Sequence, residues 1–109
     1  MVGYSTNTQL LLSKIIIALS HPKYKGSEAL AQQYINDMYH NIENRVAKIG
    51  NNISKRKHKG YTKTVVRYFR YKRNQNTQWL VYYVQEGDNY IIIKIANNHS
   101  DHAALKGLL

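Results

Sequence analysis

Thr77-Gln78-Trp79-Leu80-Val81-Tyr82-Tyr83-Val84-Gln85-Glu86-Gly87-Asp88-Asn89-Tyr90-Ile91-Ile92-Ile93-Lys94-Ile95-Ala96-Asn97-Asn98-His99 decides the fold. Trp79–Val84 and Tyr90–Ala96 are rich in β-branched and aromatic residues, which suit a pleated, half-buried surface. Glu86-Gly87-Asp88-Asn89 between them is turn chemistry, so the stretch predicts a β-hairpin. Its second strand ends at Asn97-Asn98-His99, a polar strand end that can carry chemistry. Upstream, Thr64 to Tyr71 reads as a third strand, with Val65, Arg67, Phe69 and Tyr71 on one face. Val66, Tyr68, Arg70 and Lys72 fall on the other.

Working outward, the N-terminal half reads as helix. A helix is expected from about Thr8 to Ser20, capped by Thr6 or Asn7 and stopped by His21-Pro22, because the residue before proline is pushed out of the α region. Ser27 caps a second helix, with Glu28 placed favourably in its first turn. Its apolar stripe is Leu30, Tyr34, Met38, Ile42, Val46 and Ile49, and Gly50 is suited to end it. Two helices joined by a short loop predict an antiparallel pair. Val2 to Thr6 is an optional edge strand, and Ser100 can cap an optional C-terminal helix. The order is (β)ααβββ, a single α+β domain over residues 1–109. The N-terminal helix pair packs on one face of a small antiparallel sheet. Ile91, Ile93 and Ile95 are expected to face the helices; Tyr90, Ile92 and Lys94 are expected on the open face.

Charge narrows the function. Sixteen Lys and Arg against six Asp and Glu give a net charge of +10 in 109 residues. That much like charge on a small domain calls for an anionic partner: nucleic acid, a membrane surface or an acidic protein. Much of it is concentrated between Lys55 and Arg73. No cysteine is present, which removes disulfides, thiolate nucleophiles and Cys-based zinc sites. The run Leu10–Leu19 is too short to span a bilayer and is broken by Lys14. A cytoplasmic protein with no membrane partner is expected. No Gly-rich phosphate loop is present, and the histidines lack metal-ligand spacing. No cofactor and no metal are expected.

Ala31-Gln32-Gln33-Tyr34-Ile35-Asn36-Asp37 through Ile42, Leu80-Val81-Tyr82-Tyr83-Val84 and Tyr90 to His99 together resemble the RelE/ParE superfamily of toxins from type II toxin–antitoxin systems. The first stretch is similar to that family's second helix, the second to its central strand, and the third to its last strand and polar end. The resemblance implies one of two activities. RelE-like members are metal-independent endoribonucleases that cut mRNA on translating ribosomes; ParE-like members inhibit DNA gyrase and cut nothing. Either kind is neutralised by a cognate acidic antitoxin. Outside the family reading stands a non-catalytic basic nucleic-acid-binding module. One position departs from the family: RelE-like nucleases commonly carry Arg before the Leu-Val-Tyr run, and here that residue is Trp79, which cannot grip phosphate.

Metal-free RNA cleavage needs a base, an acid, cations around the phosphate and platforms that splay bases. His99 and His58 are the titratable candidates, because an imidazole changes charge near neutrality. Arg70 completes the candidate catalytic set. Lys55, Lys57, Lys59, Arg67, Lys72 and Arg73 are candidate nucleic-acid contacts, and Tyr68 and Tyr83 candidate stacking platforms. Each has a plainer reading. His99 can be a solvated strand end, the lysine run a solvated loop, the tyrosines packing residues and Trp79 a core anchor. Arg67 and Arg70 lie on opposite strand faces, so only one of them enters a given groove.

Overall fold

A computed structural model describes residues 1–21, 27–48, 50–72 and 77–97. Ile49, Arg73, His99 and the helix expected from Ser100 lie outside them. The described chain runs β1 (Val2–Tyr4), α1 (Thr6–Leu19), α2 (Glu28–Arg45), β2 (Asn52–Ile53), β3 (Arg67–Lys72), β4 (Gln78–Glu86) and β5 (Asn89–Asn97). The class is α+β, with the sheet in the order β1-β5-β4-β3-β2.

The sheet is mixed, where an antiparallel one was expected. β1 runs parallel to β5, pairing Val2 with Tyr90 and Tyr4 with Ile92, while every other pair is antiparallel. The chain leaves β1 directly into α1. Ser5 N–H donates to the Ile92 carbonyl at 2.9 Å, and the buried Thr8 hydroxyl donates to the same oxygen at 3.1 Å. These bonds fix the start of the helix to the last strand. Ser5, not Thr6 or Asn7, is the cap, because its Oγ accepts the Thr8 N–H. Ser27 caps α2 as expected.

α1 lies over β5 and α2 over β3, burying Leu12, Ile15, Ala31, Ile35, Met38 and Ile42 against Phe69, Tyr71, Trp79, Val81, Tyr83, Ile92 and Ile95. Such burial is the main favourable term in folding. Trp79 is the largest buried side chain, and its Nε1 donates to the Tyr34 hydroxyl at 2.8 Å. Leu30 departs from the expected α2 stripe: it is half-exposed, and Ala31 and Ile35 take the inward positions. α2 ends at Arg45, short of Gly50, whose φ of +97° serves the turn into β2. β2 is two residues long, too short to show alternation in sequence.

A β-bulge reverses the expected faces of β5. Tyr82 pairs with Lys94 and Tyr83 with Ile92, leaving Ile93 as the extra residue. A bulge places two consecutive side chains on one face. Ile91, Ile93 and Ala96 therefore join Val66, Tyr82 and Val84 on the open face, while Ile92 and Ile95 enter the core under the helices. Of the three isoleucines expected there, only Ile95 faces the helices. Lys94 takes the open side, as expected.

Candidate nucleic-acid interface

The open face is partly covered by the loop between β2 and β3. Two turns shape it: Tyr61 N–H donates to the His58 carbonyl at 2.9 Å, and Thr64 N–H to that of Tyr61 at 3.2 Å. These turns occupy residues expected to begin a strand at Thr64, so β3 starts only at Arg67. The loop rests on the sheet through aromatic contact. His58 lies against Tyr82, with ring centroids 4.9 Å apart. Tyr61 packs on the same apolar patch, and Tyr68 is tilted against Tyr82 at 5.5 Å. Lys94 Nζ sits 5.8 Å from the centre of the Tyr82 ring, a distance at which the cation is drawn to the π-face.

Depressions lie on both sides of this loop. One, of about 450 Å³, is lined by Asn52–Arg56 with Tyr68, Arg70, Leu80 and Tyr82. The other, of about 460 Å³, is lined by Ser5, Asn7, Lys57, His58, Lys59, Tyr61, Ile93 and Lys94. Successive cations of the loop thus divide, with Lys55 and Arg56 serving the first and Lys57 and Lys59 the second. No carboxylate lines either one. The combination of exposed cations with the half-buried Tyr68 ring suits a single-stranded polyanion.

His58 is 7% exposed. Its Nε2 is 2.8 Å from Ser54 Oγ, which also accepts the Arg56 N–H at 3.3 Å. Burial holds the imidazole pKa below its ordinary value, and the charges of Lys94 and Arg56 depress it further. The ring is therefore neutral at neutral pH, the form that can accept a proton.

The remaining candidates separate cleanly. Arg70 is exposed on the open face, and its carbonyl accepts a hydrogen bond from the Arg45 guanidinium. Lys72 is exposed on the same face by register, and Tyr68 is half-buried there. Arg67 is on the helix side, where Nη1 reaches the Asn51 carbonyl at 3.4 Å and the side chain lines a different pocket with Lys48. Tyr83 is no open-face stacking platform: it is buried under the helices, and its hydroxyl accepts from Asn51 Nδ2 at 2.9 Å. Tyr71 and Trp79 are likewise core residues.

Sequence reading had passed over Arg56, Ser54 and Tyr82. Period-two alternation from Leu80 would have placed Tyr82 on the open face. The Ser54–His58 bond had no such signal, because it depends on how the loop turns. Among the described residues no group of His, Cys, Asp and Glu could hold a metal ion, and no helix is long and apolar enough to cross a membrane. The chain matches no protein-family model and no curated protein, and no solved structure matches it.

Proposed function

We propose that the open sheet face binds single-stranded RNA and that the chain is a metal-independent endoribonuclease, the toxin of a type II toxin–antitoxin pair acting on translated mRNA. The observation that carries this reading is the groove in which Lys55, Arg56 and Arg70 surround Tyr68, Leu80 and Tyr82 without a carboxylate. Cations there hold phosphate, and Tyr68, the half-buried ring, stacks a base over the buried Tyr82. His58, kept neutral beside the groove, supplies a base. The resemblance to RelE/ParE toxins adds the mRNA substrate and the antitoxin. A covering partner is further supported by Leu10, Ile17 and Leu30, apolar side chains at least half exposed on the two helices of a strongly cationic protein. An acidic, amphipathic segment matches both properties.

A second reading, binding without cleavage, is favoured by the burial of His58 and the engagement of its Nε2 by Ser54. It includes the gyrase-directed form of the family. Cell-free translation with primer extension on the message, in parallel with labelled single-stranded RNA in chelator, separates the readings. Cleavage abolished by Arg70→Gln supports the nuclease. RNA that is bound but intact supports the binder, and loss of gyrase supercoiling with no RNA binding supports the gyrase form. Absence of all three activities refutes both readings.

A further inference from the structure

The second depression, on the far side of the 54–61 loop from Arg70, has a composition that the RNA groove does not explain. Three lysines, Lys57, Lys59 and Lys94, line one space of about 460 Å³, and no carboxylate joins them. Like charges brought together this way repel unless an anion lies among them. Two of the three come from alternate positions of the loop. The third is delivered by the β5 bulge, which puts Lys94 on the open face directly after Ile93. The Asn7 amide at the start of α1 adds a neutral donor, while Ser5, whose hydroxyl donates to Thr8 Oγ1, only walls the space. His58 forms the wall next to the loop. It is more than nine-tenths buried, its Nε2 is taken by Ser54, and its Nδ1 carries no hydrogen bond among the described residues.

We infer that this depression is a phosphate-binding subsite, built from Lys57, Lys59 and Lys94 against Ser5, Asn7 and His58. Three ammonium groups with the Asn7 amide beside them suit a tetrahedral anion of high charge. The space is large enough for a phosphate with its sugar. The source of the phosphate rests on the RNA reading above: a strand crossing the loop from the Arg70 groove would place a second phosphate here. The subsite itself does not depend on that reading.

His58 reports on the subsite, because an anion beside the imidazole favours its charged form. The test follows its ring resonances through a pH titration, with and without inorganic phosphate, in wild type and Lys94→Gln. Saturable phosphate binding that raises the His58 pKa, weakened about tenfold by Lys94→Gln, supports the subsite. No phosphate-dependent shift at His58, or a shift equal in Lys94→Gln, overturns it. Lys48→Gln, in the separate pocket with Arg67 on the helix side, serves as the control variant and should leave phosphate binding unchanged. Short single-stranded RNAs with and without a 5′-phosphate then name the source. Tighter binding of the phosphorylated form that Lys94→Gln removes assigns a terminal phosphate, and equal binding that Lys94→Gln weakens assigns an internal diester. Phosphate binding with no RNA binding keeps the subsite and refutes the RNA reading.

Discussion

The His58 imidazole rests on the Tyr82 ring at a centroid separation of 4.9 Å and an angle of 52° between planes. This contact fixes the β2–β3 loop over the sheet and divides its cations between two depressions. It also buries a titratable ring beside Lys94 and Arg56, with a consequence for stability against pH. The folded pKa of His58 lies below its unfolded value, so the unfolded chain takes up a proton first as pH falls. His58 therefore costs no stability above the unfolded value of about 6.5, and its contribution is lost progressively as pH drops toward the folded pKa. Urea midpoints measured between about pH 7.5 and pH 5 should decline in wild type, and more gently in His58→Gln. Equal declines would refute the buried, neutral histidine.

Arg67 and Arg70 stand three residues apart on β3, yet only Arg70 lies on the open face. Arg70→Gln should weaken single-stranded RNA binding by about 1 kcal/mol, roughly fivefold. It should also reduce the slope of log affinity against log salt by about 0.7, as expected for one lost phosphate contact. Arg67→Gln should leave both nearly unchanged. Fluorescence anisotropy across a salt series measures both; equal losses in the two variants would place the strand elsewhere.

The bond from Trp79 Nε1 to the Tyr34 hydroxyl joins β4 to α2 inside the core. Tyr34→Phe leaves the indole N–H without this acceptor, and a buried donor left unmade costs about 1–3 kcal/mol. Equilibrium unfolding in urea should show that loss with an unchanged denaturant slope. A loss below about 0.5 kcal/mol would mean that water reaches the indole.

Gly87 occupies the first central position of the hairpin turn at φ +61°, while Asp88 has an ordinary negative φ. That pattern is a type II′ turn, whose first central position favours glycine. Gly87→Ala should cost about 1–3 kcal/mol through backbone strain alone, since nothing lies within 4 Å of the added methyl group. Asp88→Ala should stay within about 0.5 kcal/mol of wild type. Thermal unfolding of the two variants checks the contrast.

What the sequence determined by itself was local. Ser27 with Glu28 marked the start of α2, and Gly87-Asp88 flanked by β-branched runs marked the hairpin, because caps and turns depend on residues close in the chain. Alternation along β3 separated Arg67 from Arg70. The basic, carboxylate-poor stretch from Lys55 onward was also visible as composition. Three features needed tertiary structure. The parallel pairing of β1 with β5 joins residues almost ninety positions apart, beyond any local pattern. The four-residue run Tyr90-Ile91-Ile92-Ile93 carries no polar residue to reveal a bulge. Only pairing with Tyr82 and Tyr83 sends Ile92 into the core and brings Ile93 and Lys94 onto one face. His58 read as a titratable candidate whose plainer alternative was a solvated loop residue, and contact with Tyr82 made it a buried one, because burial is set by what the loop folds onto and not by its own charged neighbours.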